Sequence, residues 1–329
     1  MKKISTFLCA ASLGLSSLSY AQQDPQFTQF FNVKQLYNPA YVGTKGTICA
    51  DAIYRQQWVS FPGAPTTAGL AINMPLGNFG AGLAVMNDII GNQNTFTAKL
   101  AGAYHIHVGG GGAGILSIGL DAGIYQTKIN GNYIAPQTLN DPTIPNNSAS
   151  NSQNINKMVP DFDGGIYYTI PNKLYIGISS SHLGAQTIDG SSAPGSITPF
   201  HQGYKLQFDV ARHYYIMAGY TFNVSQDIDI MPNVLVKTDG ASTQLDVNVI
   251  GMYRKMIGLG VSYRLQDAIA PMIVYQSNFG LRFGYSYDVT TSKIKGYSSG
   301  THEISVGFCF KPKADAKVQS HWNTRYFAE

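Results

Sequence analysis

The sequence predicts an all-β chain that closes into an antiparallel transmembrane β-barrel of about 14 strands. Three observations predict it. Apolar residues recur at every second position in run after run. After the first stretch, no segment reaches the roughly 18 consecutive apolar residues of a membrane-spanning helix. The face opposite the apolar one carries mostly Gly, Ser, Thr, Gln and Tyr, whereas a soluble sandwich turns Lys, Glu and Asp to water. Composition agrees. Of 329 residues, 12% are charged and 12% aromatic, with 21 Tyr and 35 Gly. An apolar share of 44% excludes a disordered chain, and three cysteines are too few for a disulfide scaffold. A net charge of +4 with no basic stripe excludes nucleic acid as a partner.

Residues 1–21 read as a secretory signal peptide. Lys2 and Lys3 lead an apolar stretch from Ile4 to Leu18, and Ser19-Tyr20-Ala21 sets small residues at the cleavage positions before Gln22. The stretch falls short of the roughly 20 residues of a spanning anchor. Residues 22–45 form a short N-terminal segment, periplasmic or plugging the lumen. Residues 46–311 form the barrel, and 312–329 a periplasmic tail. An exported chain with no spanning helix satisfies its backbone in lipid only by closing a barrel.

Alternation places the strands. In 94–108, Phe96, Ala98, Leu100, Gly102, Tyr104 and Ile106 share one side, while Thr97, Lys99, Ala101, Ala103, His105 and His107 share the other. In 114–127, Leu116, Ile118, Leu120, Ala122 and Ile124 oppose Ser117, Gly119, Asp121 and Tyr125. The glycine run 109–112 makes the pair a hairpin. The remaining candidates are 46–58, 66–74, 79–87, 160–170, 173–183, 203–211, 213–223, 228–238, 243–254, 256–265, 270–277, 279–288 and 300–311. That makes one too many for the even count of a bacterial barrel. The surplus is expected within 203–223 or 256–277, where turn signals are weakest. Polar insertions at 128–159 and 184–202 read as surface loops facing outward.

Closure supplies a check. Cys49 lies on the polar side of the first strand with Asp51 and Arg55. Cys309 lies on the polar side of the last, opposite Ile304, Val306 and Phe308. These strands are neighbours only if the sheet closes. Their Cα atoms are then expected within about 7 Å, with bonding left open.

Catalytic chemistry is not expected. His105 and His107 face one way, but two histidines without a further ligand make no metal site. Gly109–Gly114 lacks the Lys-Ser/Thr of a phosphate loop and joins two strands. His302 and Glu303 point to opposite faces, with no nucleophile spaced to join them. Asp161 and Asp163 share a face, read as a solvated strand start. No cofactor, metal or catalytic residue is therefore assigned. Arg55, Lys99, Asp121, Arg264, Arg282 and Glu303 form the expected lumen charge set. It serves either as a structural network or as the selectivity lining of a pore.

Several motifs carry a resemblance. They are Asp24-Pro25-Gln26-Phe27-Thr28-Gln29-Phe30, Tyr37-Asn38-Pro39-Ala40-Tyr41, Tyr54-Arg55-Gln56-Gln57-Trp58, Pro160-Asp161-Phe162-Asp163-Gly164-Gly165, Gly284-Tyr285-Ser286-Tyr287-Asp288 and Ser299-Gly300-Thr301-His302-Glu303-Ile304. Over about residues 22–311 the chain resembles the PorP/SprF family of type IX secretion system outer-membrane proteins of the Bacteroidota. Thr28 and Thr301 stand where serine is frequent, and Val42 where alanine is. The resemblance implies an integral outer-membrane barrel, not an enzyme. It would serve export or surface anchoring of cargo, including gliding adhesins, with other type IX proteins of the periplasm and outer membrane as partners. The alternative is a diffusion channel or hydrophobic-solute transporter. Both chain ends are expected in the periplasm. There Phe27, Phe30, Tyr37, Asn38, Pro39 and Tyr41 are candidate partner-binding residues, with the basic tail beside them.

Overall fold

Period-two alternation fixes each strand's faces, because successive side chains point to opposite sides of a sheet. The computed structural model describes residues 24–109, 114–129, 155–184, 187–189 and 207–310. Within them lie β1 (Ile48–Gln56), β2 (Thr66–Leu76), β3 (Phe79–Ile90), β4 (Gln93–Val108), β5 (Gly114–Ile129), β6 (Ile155–Ile170) and β7 (Leu174–Ser181). Next come β8 (Thr187–Asp189), β9 (Gln207–Asp209), β10 (His213–Tyr220), β11 (Phe222–Asn223), β12 (Ile228–Thr238) and β13 (Thr243–Tyr253). The chain continues through β14 (Ile257–Arg264), β15 (Ala268–Gln276), β16 (Leu281–Thr290) and β17 (Thr301–Phe310).

Consecutive strands pair antiparallel from β1 to β7, then through β10, β12 and on to β17, which returns to β1. β11 continues the line of β10 past Thr221 and pairs with β12. The result is a closed barrel of 14 staves. The surplus candidate strand was 203–211. Its Gln207–Asp209 pairs only with Thr187–Asp189, in a separate two-stranded ribbon.

The barrel is apolar outside. Leu100 and Leu120 on neighbouring strands are 69% and 66% exposed, while Lys99 and Asp121 beside them are buried. In water that distribution would aggregate; in a bilayer it is the lipid-facing band. Leu116, Ile118 and Leu120 point outward with it, as the alternation requires.

The two ends differ. At one, short turns join β2 to β3, β6 to β7, β13 to β14 and β15 to β16. Gly77, at φ +67°, makes the first of them, because a tight hairpin turn needs a backbone most side chains resist. β1 begins and β17 finishes at this same end. The longer connections stand at the other end, and much of 128–159 and 184–202 lies outside the described residues. So do the turn at 110–113, the leader 1–21 and the tail 311–329.

Candidate functional site

The lumen holds a segment of the chain's own N-terminal region. Residues 24–47 run through it from the long-loop half to the short-turn end, where β1 starts. Two short 3-10 turns, Lys34–Leu36 and Pro39–Tyr41, compact it. Asn38 starts the second by accepting the Ala40 amide at 2.9 Å, with Pro39 in the first position, where its missing N–H costs nothing.

Aromatic anchors seat the segment. Phe27, Phe30, Val33, Tyr37 and Tyr41 form one cluster with Ile53, Tyr167, Tyr215, Met217 and Leu235 of the wall. Phe31 packs against a second wall cluster of Ile250, Met252, Met272 and Val274. Tyr37 meets Tyr215 edge to face at 5.4 Å, and Tyr41 meets Tyr167 at 5.6 Å, the tilt ring quadrupoles favour. Wall glycines let the backbones approach. A Cβ at Gly80 would overlap the Val42 carbonyl, and one at Gly119 the backbone of Ala40. Asn38 completes the seat by donating to the carbonyls of Ile166 and Ile178 at 3.1 and 3.3 Å. All six candidate partner-binding residues, Phe27, Phe30, Tyr37, Asn38, Pro39 and Tyr41, are buried here. A partner meeting the folded barrel therefore finds these side chains covered, except that Tyr41 lines a cavity at the short-turn end.

The expected charge set resolves into three clusters. In the first, Arg55 of β1 pairs with Glu303 of β17 at 2.8 Å and with Asp288 of β16 at 2.7 Å. Arg264 of β14 pairs with the same Asp288 at 2.9 Å and with Asp246 at 2.8 Å. The segment enters this cluster through its backbone. The amides of Thr28 and Gln29 donate to the two oxygens of Glu303 at 2.9 and 2.7 Å. The Thr28 hydroxyl donates to Asp288 at 2.8 Å and accepts from Arg55 and Arg264 at 3.2 and 3.1 Å. Burying these charges stabilises little by itself. Stripping one partner strands the other at a cost of about 3–5 kcal/mol.

In the second cluster, Lys99 pairs with Asp161 at 2.7 Å and Asp163 at 2.6 Å. These carboxylates are not a solvated strand start: the barrel encloses them. Asp121, which shares the lumen side with Lys99, instead accepts the Asp163 amide at 3.1 Å. Register explains the difference. Lys99 faces Gly123 of β5, and Gly123 faces Asp161 of β6, so the lysine crosses a strand at a glycine. The third cluster repeats the device. Arg282 reaches Asp51 at 2.6 Å past Gly307, which is register partner to both.

Beyond the second cluster sits the segment's beginning. The Asp24 carboxylate meets His182 Nε2 at 3.0 Å and accepts from the hydroxyls of Ser181 and Tyr215. Its carbonyl accepts from Lys237 at 2.8 Å, and its amide donates to His213 at 3.2 Å. His182 spends its other nitrogen on Asp161 at 2.8 Å. Burial disfavours both charges, yet the pairing wins. His182 is pushed up to about 10 by the carboxylates of Asp24 and Asp161. Asp24 is held well below its ordinary range, above all by the His182 charge. Among the described residues, two sets of donors gather closely enough to hold a metal: Asp24, His182 and His213, and Asp161, Asp163 and His182. In both, His182 already spans two carboxylates. His105 gives its Nε2 to the Val42 carbonyl at 2.9 Å, and His107 is exposed away from it.

Cys49 and Cys309 are register partners and form a disulfide, with Cα atoms 4.1 Å apart. This lies inside the reach expected from closure.

Sequence reasoning missed Asp24, Thr28, His182, His213, Asp246 and Asp288. Three of them stand in the motifs singled out above. Each of those motifs sends at least one residue into the lumen. The model of the type IX secretion system membrane protein family PorP/SprF matches residues 19–308. The chain belongs to the PorP/SprF family. It is thus a type IX secretion component of the outer membrane. No curated protein matches it. Among solved structures, this PorP/SprF chain is similar to the CymD monoaromatic hydrocarbon channel, at 11% identity over 92% of this chain and 97% of that one, with TM-score 0.49. It is also similar to the Ralstonia pickettii toluene transporter TbuX, at 8% identity over 85% and 93%, with TM-score 0.47. A third is the Acinetobacter baumannii outer membrane protein Omp33, at 6% identity over 81% and 100%, with TM-score 0.43.

Proposed function

We propose that this PorP/SprF protein is a sealed outer-membrane scaffold. It supports export or surface anchoring of type IX cargo through protein contacts and conducts no solute. The observation that carries this reading is the inner segment, whose contacts reach every side of the lumen and whose backbone Glu303 clasps. A pore needs a continuous water path, and buried aromatics and ion pairs occupy that path here. Outer-membrane barrels keep short turns in the periplasm and long loops outside. On that orientation β17 delivers the basic stretch from Lys311 onward into the periplasm. With the aromatic anchors committed inside, partner contacts fall to the short-turn mouth, the tail and the outer loops. Cargo or an adhesin would be met from the loop side, and other type IX proteins from the periplasmic side.

Planar-bilayer recording tests this. The purified barrel should show no steady conductance, and deletion of residues 24–43 should open a channel. Steady conductance by the intact chain would return the protein to the diffusion-channel or hydrophobic-solute transporter reading. Affinity capture from detergent-solubilised membranes should recover other type IX components.

A further inference from the structure

A cavity of about 520 Å³ lies at the short-turn end, between the inner segment and the wall. Its lining includes Lys34, Lys45, Tyr41, Tyr175 and Arg282, and among the described residues no Asp or Glu lines it. The Arg282 charge is met by Asp51. Neither Lys34 nor Lys45 joins an ion pair among the described residues. They rest on ring faces instead: Lys34 Nζ is 4.2 Å from the Tyr175 centroid, and both ammonium groups are 5.8 Å from that of Tyr41. Two amines placed by aromatic rings, with the nearby Asp51 committed to Arg282, describe half of an interaction.

We propose that this cavity docks an acidic peptide segment of a partner protein, its carboxylates on Lys34 and Lys45 and an aromatic side chain against Tyr41 and Tyr175. Charge complementarity calls for an anion. The size calls for more than one small ion, since ligand sites span about 300–1,000 Å³. The amides of Asn32, Asn172 and Gln276 line the same space and offer partners for a peptide main chain. The proposal deepens the scaffold reading by naming what the mouth recognises. It rests on that reading only for the side from which the partner comes.

The test uses the full chain in detergent and fluorescence anisotropy. The probes are a short labelled peptide alternating aspartate and phenylalanine, and its twin with asparagine for aspartate. The acidic peptide should bind and its twin should not. Lys34→Gln with Lys45→Gln should weaken binding by about tenfold or more, the scale of one or two lost charge-assisted contacts. Lys255→Gln, at an exposed turn of the same end but outside the lining, should change it little. Equal binding of the two peptides overturns the proposal, and that comparison needs no variant to fold. So does an unchanged affinity in a double variant that keeps heat-modifiable gel migration, or full displacement of the peptide by succinate. None of these outcomes bears on conductance, so the sealed-lumen reading stands or falls separately.

Discussion

Arg282 and Asp51 form an ion pair at 2.6 Å although a whole strand, β17, separates theirs. Gly307 is the register partner of both, and a Cβ there would press on the Asp51 carboxylate and the guanidinium. Gly307→Val should split the pair and leave two charges facing a narrowed lumen. The expected loss is about 3–5 kcal/mol, the scale for breaking a buried pair. It should appear as a lower unfolding midpoint in heat-modifiability gels. Arg282→Met with Asp51→Leu should lose less than either change alone.

At the closing seam, Glu303 answers Arg55 and also two amides of the inner segment. Glu303→Ala should therefore cost more than a pair alone, because the Thr28 and Gln29 amides lose their acceptor as well. Limited proteolysis should then cut between residues 24 and 47, where the parent chain resists. An uncut variant would show that the aromatic anchors suffice.

The hold on Asp24 should depend on pH, with a sign that follows from the shifts. His182 titrates in the fold near 10, above its ordinary 6.5, so its contribution is complete below about 6.5 and disappears as pH rises through about 10. Asp24 is depressed, so its contribution is complete above its ordinary 3.8 and fades as pH falls below that. The stability difference between the parent chain and His182→Gln should be largest from about pH 4 to 6.5 and close to nil above pH 10. Unfolding midpoints across that range measure it.

Gly80 and Gly119 hold the segment at backbone distance from the wall. Gly119→Val should dislodge it without touching an ion pair. Single-channel recording should then show conductance that the parent lacks. A tight variant would mean that the segment relocates within a still-filled lumen.

Lys34 should make acidic-peptide binding pH-dependent. Burial and the neighbouring Arg282 push it down to about 7, against the pull of Asp51, with Lys45 and the rings of Tyr41 and Tyr175 beside it. A bound carboxylate favours the protonated form. Affinity should therefore fall as pH rises through about 7, and Lys34→Gln should remove that step, leaving only what Lys45, also pushed down by burial and Arg282, contributes.

How much of this was legible beforehand depends on distance along the sheet. Alternation is local, so the sides of Leu116, Lys99 and Cys309 followed from the sequence. So did the meeting of Cys49 and Cys309, because closure makes the ends neighbours. Ion-pair partners were a different matter. Lys99 finds Asp161 and Asp163 two strands away, because Gly123 leaves a gap between them. That depends on register across three strands, which no local pattern specifies. His182 and His213 stand at strand ends beside an unpatterned loop, and only the fold brings them to Asp24. The aromatic residues of 22–45 announced burial but not what they would be buried against. The strand expected at 203–211 failed because a short alternating run also suits a surface ribbon.

Glu303 belongs to the final strand and Thr28 to the opening stretch, 275 positions earlier. A growing chain thus has no acceptor for the Thr28 and Gln29 amides until its last stave arrives. Any product that stops short of that stave leaves Arg55 lacking at least one of its two acids and both amides unanswered, so the molecule carries its own check on having been made in full.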